Sequence, residues 1–215
     1  MRFIYDNLAG APFLELAGDS FKHIKAQRKR EGELIRVQNL REFRAYYYKI
    51  THLARSAKLS LENSEDLPKQ EYKARLIWAI CDPSAIDKAL PFLNELGLGE
   101  LILVNSEFSQ RSFKLDFARF DRILASSCEQ CGRAVPLKIS LQNIDELDEK
   151  NTILLDFEGE QSDFKLNNDE ALFIGPEGGF SAQERARFKR KISLQTALIL
   201  RSQTAIIACA TKILL

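Results

Sequence analysis

Three glycines in five residues, directly behind a short apolar run, place the tightest constraint on this chain. The run Ala171 to Ile174 has the length of a buried strand and is too short for a helix. It stops at Gly175-Pro176-Glu177-Gly178-Gly179, where the backbone must bend sharply or approach another group closely. Ser181-Ala-Gln-Glu184 then has the form of a capping box, so strand, glycine turn and helix follow in order. A second run, Lys191 to Leu194, gives way to Gln195-Thr196, and the spacing predicts a last helix opening near Leu200-Arg201. Backbone N–H groups in such a turn can hold a ligand without a charged side chain. A plain strand–helix connection needs the same glycines, so spacing alone leaves both readings open.

The region before this stretch alternates strands with helices. Strands are predicted at Leu76 to Cys81, Leu101 to Val104, Leu137 to Ile139 and Thr152 to Phe157, with helices at Ser84 to Leu96 and Phe117 to Cys131. That alternation predicts an α/β domain with a largely parallel sheet. No GxGxxG follows its first strand, which argues against a conventional Rossmann cofactor site. Residues 1–62 read differently. Arg2 to Tyr5, Phe13 to Leu16, Glu33 to Gln38, Phe43 to Ile50 and Ala57 to Glu62 are short strand-like runs broken by turn residues. A small β-barrel would hide the edges of so many short strands. Polar Glu62 to Lys73 reads as the linker, which divides the chain into domains at 1–68 and 69–215.

Charge is unevenly placed. The net is only +1, but residues 1–60 hold twelve Lys/Arg against six Asp/Glu. Five of those cations fall between residues 22 and 30. A basic lobe of this kind suits a polyanion, and backbone phosphate is the natural partner. Residues 141–170, with ten acidic and two basic side chains, would repel RNA and belong away from it. No apolar run approaches a membrane span and the first residues do not read as a signal peptide, so a cytoplasmic protein with no membrane partner is expected. Four cysteines in that setting read as reduced thiols. Cys128-x-x-Cys131 has metal-like spacing but no second half-site, because only His23 and His52 are available. No metal is expected.

Ile174 to Ser181 (IGPEGGFS), Leu194, Leu198 to Arg201 and Thr204-Ala205 resemble the signature of the SPOUT-class RNA methyltransferases, and in particular of the RsmE family. Lys88 with Glu95-Leu96-Gly97, Cys128-Glu-Gln-Cys-Gly-Arg133 with Pro136, and His23, Arg28 and Gly32 are similar to further segments of that family. The resemblance spans nearly the whole chain. It implies a C-terminal SPOUT-type trefoil-knot domain preceded by a PUA-like RNA-binding barrel. It further implies homodimerisation through the knotted region and methyl transfer from S-adenosyl-L-methionine to N3 of a uridine in 16S ribosomal RNA, as bare RNA or assembled small subunit.

The resemblance also implies a cofactor cleft from three loops. These carry Leu155, Phe157, Glu158 and Gly159, then Ile174, Gly175, Pro176, Glu177, Gly178 and Gly179, then Leu194, Leu198 and Leu200. Arg201, at the mouth of the last helix, is the first candidate for catalysis, where a long cation can orient phosphate or uracil carbonyls. Arg133 follows, beside Gln130 and Glu129. Glu177 fits a proton acceptor and equally a brace for its own loop. His23, Lys25, Arg28, Lys29, Arg30, Lys88, Arg111, Gln130 and Arg133 are the candidates for RNA contact, with a structural role for His23 equally open. Two residues depart from the family pattern, Gln195 for its glycine and Gln203 for its glutamate. Such departures also fit a related enzyme on another RNA, or a non-catalytic assembly factor.

Overall fold

The computed structural model describes residues 2–109, 113–161 and 164–215 and divides into two compact units. One comprises residues 1–70 with 124–136, the other 71–123 with 137–215.

In the first unit, β1 (Ile4–Tyr5), β2 (Phe13–Leu16), β3 (Leu34–Gln38), β4 (Arg44–Leu53) and β5 (Ala57–Asp66) form one sheet in the order β1-β3-β4-β5-β2. β1 lies parallel to β3 and the other pairings are antiparallel. Alternation fixes which side chains turn inward: Ile35 and Val37, Tyr46, Tyr48 and Ile50, and Ala57 and Leu59 are buried in one core cluster. The sheet curls as a half-barrel, and no ladder joins β1 to β2 among the described residues. Two differences from the expected elements have local causes. β5 continues to Asp66, taking in half of the polar stretch read as linker, because Arg44 and Tyr47 on β4 bond Asp66 and Glu65 across the ladder. The basic segment opens as a helix, α1 (Gly18–Ala26), whose Phe21 and Ile24 complete the core beneath the sheet. Arg28, at φ 57, takes the left-handed conformation just past its end.

The same unit takes in the far end of a helix from elsewhere in the chain, α3 (Phe117–Cys131). The Arg2 N–H donates to the Glu129 carbonyl at 2.8 Å, and the Tyr5 N–H to the Glu129 carboxylate at 2.7 Å. Phe3, Leu40 and Cys128 close a small core there. The edge of β1 is thereby covered rather than left open.

The second unit holds a six-stranded, all-parallel sheet. Its strands are β6 (Arg75–Ala79), β7 (Glu100–Val104), β8 (Lys138–Gln142), β9 (Thr152–Gln161), β10 (Ala171–Ile174) and β11 (Lys191–Ser193), in the order β11-β9-β10-β6-β7-β8. β10 is buried along its whole length, with β6 on one side and β9 on the other. Removing Leu172, Phe173 and Ile174 from water contributes about 1.5–3 kcal/mol each. Helix α2 (Pro83–Leu96) begins with the Asp82 carboxylate accepting the Ser84 N–H and Pro83 in its first turn. It ends at Gly97 in the left-handed conformation and packs on the last helix, α5 (Ser202–Leu214). α4 (Ala182–Arg187) carries the expected capping box between Ser181 and Glu184. β9 runs four residues beyond the predicted Phe157 and shifts register against β11. Gly159 permits that approach: a Cβ there would meet the Ile192 backbone at 2.5 Å.

Among the described residues no helix is long and apolar enough to cross a membrane.

Candidate active site

The glycine turn after β10, the segment after β11 and the middle of β9 converge on one cleft in the second unit. Its cavity volume is about 120 Å³. Of the residues expected around a cofactor, Leu155, Phe157, Ile174, Gly175, Pro176, Glu177, Gly179, Leu194, Leu198 and Leu200 are brought together as its lining. Glu158, Gly159 and Gly178 are not among the lining residues. Glu158 faces Lys191 at 3.5 Å, Gly159 serves the close strand approach, and a Cβ on Gly178 would meet Phe108 at 3.1 Å. Gly179 takes φ 70, a conformation that favours glycine.

The structure adds cleft residues that spacing did not indicate, among them Asp156, Arg185 and Ser202. Asp156 is almost wholly buried; its Oδ2 accepts Arg185 Nε at 2.7 Å and its Oδ1 the Glu158 N–H at 3.1 Å. The hydrogen bond that Arg185 donates to Asp156 raises the Arg185 pKa further, so the guanidinium stays charged. Ser202 is a double anchor at the start of α5. Its Oγ accepts Trp78 Nε1 at 2.7 Å and donates to the Gly175 carbonyl at 2.6 Å. The fully buried indole of β6 is thus tied to the glycine turn through one hydroxyl. The alternation of β9 was a signal for Asp156, a polar residue in a buried register. Nothing in the local pattern marked Ser202.

Arg201 forms the N-cap position of α5 and is exposed, between the lining residues Leu200 and Ser202. Glu177 is exposed at the cleft and carries no hydrogen bond or ion pair among the described residues, so the bracing alternative finds no partner there. Its charge also acts on Cys81, whose thiol burial, with help from Glu177 and Asp82, pushes up to about 12. Arg133 lies in the first unit, buried, with Nε donating to the Val135 carbonyl at 2.7 Å. Its neighbour Glu129 is buried as well, and desolvation raises its pKa while the Tyr5 N–H opposes that shift. Gln130 is exposed on the same helix.

The remaining candidates for RNA contact are spread over both units. His23, Lys25, Arg28, Lys29 and Arg30 follow one another along α1 and the loop behind it. Lys25 lies over the Phe21 ring at 4.6 Å, and His23 keeps a buried Nδ1 with no partner among the described residues. Lys88 is exposed on α2 of the second unit, and Arg111 lies outside the described residues. Among the described residues no cluster of three or more His, Cys, Asp or Glu could hold a metal ion.

A family model described as an RNA methyltransferase domain matches residues 68–214. The chain is 35% identical to ribosomal RNA small subunit methyltransferase E of Helicobacter pylori strain J99, with 98% of each chain covered. The counterpart in H. pylori strain 26695 is 34% identical over the same share. This chain belongs to the ribosomal RNA small subunit methyltransferase E family. Solved structures agree on the fold. Ribosomal RNA small subunit methyltransferase E from Neisseria gonorrhoeae, bound to S-adenosyl methionine, superposes with a TM-score of 0.77 at 22% identity, covering 98% of this chain and 95% of its own. A Legionella pneumophila protein in complex with the cofactor SAM gives 0.77 at 22% identity, covering 98% and 96%. The second unit thus has the SPOUT-type trefoil-knot fold, and the half-barrel of the first is consistent with a small β-barrel.

Proposed function

We propose that this protein methylates N3 of a uridine in small-subunit ribosomal RNA, in the cytoplasm, with S-adenosyl-L-methionine as donor. The observation that carries the reading is the cleft itself. It joins three loops of a SPOUT-type sheet, with Glu177, unpaired among the described residues, in its lining and exposed Arg201 between the lining residues Leu200 and Ser202. The lining fits the donor: Leu155, Leu194, Leu198 and Leu200 offer apolar walls for a flat base, and the glycine turn offers backbone groups at close range. Glu177, exposed in the lining, supplies a carboxylate for hydroxyl or ammonium groups, and Asp156 holds Arg185 in the wall. When bound, the donor's sulfonium provides an electrophilic methyl group.

The chain's own residues then have two tasks, alignment and proton removal. Closing apolar side chains around the reacting groups excludes water, and fixed geometry lowers the barrier by several kcal/mol. The uridine N3–H is only weakly acidic, so N3 gives up its proton to the chain and takes the methyl carbon, whose bond to the donor sulfur would break with the electron pair left on sulfur. Glu177 is the acceptor for that proton, being exposed, unpaired and on the glycine turn. Arg201 holds the uracil carbonyls, onto which negative charge moves as the proton leaves. Arg133 acts indirectly in this scheme, by fixing the end of α3.

A homodimer through the second unit belongs to the same proposal. Phe157, Leu198 and Ile199 at the cleft are 74%, 71% and 84% exposed, an apolar surface that a second copy would cover.

The test uses labelled S-adenosyl-L-methionine with small ribosomal subunits from a strain lacking the gene, followed by mapping of the modified base. Label on one uridine at N3 is expected, with a loss of at least a hundredfold in Arg201→Ala. Label elsewhere, or none on subunit or bare RNA, would sink the proposal.

A further inference from the structure

The first unit contains a concavity of its own, separate in sequence and character from the cleft. It lies among β1, the loop behind α1 and the start of β3. Its lining is Arg2, Phe3, Ile4, Gln27, Lys29, Leu34, Ile35 and Arg36, around about 430 Å³ with its open side. Three of these side chains are cationic and none is acidic. Two other cations of this unit are neutralised, Lys22 by Asp19 and Arg44 by Asp66. Arg2, Lys29 and Arg36 take part in no ion pair among the described residues.

Each of the three is nevertheless placed. Arg36 is half-buried, and with the amide of fully buried Gln38 turned so that its oxygen faces the guanidinium, Nε and Nη2 donate to that oxygen at 3.1 and 2.8 Å. That uses two of five guanidinium donors and fixes the plane of the rest. Arg2 is held by its backbone bond to Glu129, and its Cδ lies where a Cβ on Gly132 would stand, 2.5 Å away. Gly132, at φ 92, therefore leaves the path that the Arg2 side chain takes. Lys29 Nζ reaches the Leu34 carbonyl at 3.4 Å, a long bond that a stronger acceptor would replace.

A concavity with three cations, a fixed fork and no carboxylate has the chemistry of an oxyanion site. We infer that Arg2, Lys29 and Arg36 seat a phosphate group of the RNA backbone, with Arg36 as the oriented donor. This rests on the methyltransferase reading for the identity of the RNA. It also moves the centre of contact from the exposed residues of α1 to the pocket beneath them, where Lys29 is the one shared member.

The experiment measures binding of the full chain to unmodified small-subunit ribosomal RNA across a salt series. Each phosphate contact contributes about 0.7–0.9 to the slope of log affinity against log salt. Arg36→Gln, Arg2→Gln and Lys29→Gln are each expected to lower the slope by up to that amount, while Arg55→Gln, on an exposed turn, leaves it unchanged. Circular dichroism checks folding, and if Arg36→Gln unfolds, the Arg2→Gln/Lys29→Gln double variant carries the test. Unchanged slopes in folded variants overturn the inference. Stabilisation by inorganic phosphate that Arg36→Gln abolishes, with the RNA slope intact, would assign the pocket to free phosphate and overturn it too. Donor affinity, measured by calorimetry on the same proteins, keeps the two readings apart. Its absence in the parent chain counts against methyl transfer and leaves the pocket's result standing.

Discussion

The two concavities hold themselves open by opposite means. The cleft of the second unit is walled by leucines, and its buried carboxylate, Asp156, is answered by Arg185 from within the same wall. The pocket of the first unit is walled by cations that nothing in the described chain answers. A wall that pairs its buried charge can be dry there and selective by shape, because leaving one partner alone in a low-dielectric wall is costly. A site that leaves its charges unanswered stays wet, and acts at a distance on anything negative. The same chain therefore separates recognition by fit from recognition by charge, and assigns one to each compact unit.

That division can be broken most sharply at Asp156. Asp156→Ala should cost about 2–3 kcal/mol, below the full value for a buried pair because Arg185 is a third exposed to solvent. Urea unfolding gives the loss, and donor affinity should fall with it while the salt dependence of RNA binding does not move. A loss under about 0.5 kcal/mol would mean the wall does not depend on its internal pair. Ser202→Ala comes next. It strands the Trp78 indole N–H and the Gly175 carbonyl together, and buried groups left without partners cost about 1–3 kcal/mol. Weaker donor binding at undiminished RNA affinity is expected from calorimetry and filter binding.

The smallest effect sharpens the other side. Glu129 is a buried carboxylate whose pKa desolvation raises, so the folded chain holds its proton more tightly than the unfolded chain. Stability from this group is complete in acid and declines as pH rises from the ordinary glutamate range through the raised folded value. Glu129→Gln still accepts the Tyr5 N–H, so the variant should match or exceed the parent at pH 7, with that advantage vanishing below about pH 4. Denaturation curves at the two pH values decide it. A variant less stable at pH 7 would show that the carboxylate's charge, and not only its oxygen, holds β1.

Much of the second unit was legible, for a physical reason. Its central strands β6, β7 and β10 are buried on both faces, so they read as continuous apolar runs, and β10 is found where Ala171 to Ile174 placed it. The capping box at Ser181 was legible because both its hydrogen bonds are local. Cleft walls from adjacent residues, such as Gly175 and Leu194, could be placed with the help of the family pattern. Ser202 could not, because its two partners are 124 and 27 residues away. α1 hid behind its charges, although Phe21 and Ile24 are spaced for a helix face. Arg2 and Arg36 were passed over because spacing shows clusters along the chain, and their cluster exists only across strands.

The hold of Glu129 on Arg2 and Tyr5 has a consequence in time. During synthesis the first seventy residues leave the ribosome long before α3 exists. Until residue 129 emerges, β1 has no cover for its edge, and Phe3 and Leu40 lack Cys128. Contacts so far apart in sequence form late, because the intervening loop must be ordered first. The unit encoded first is thus completed only after more than half of the chain has been made, and a nascent chain stopped at residue 70 presents an open edge to whatever it meets.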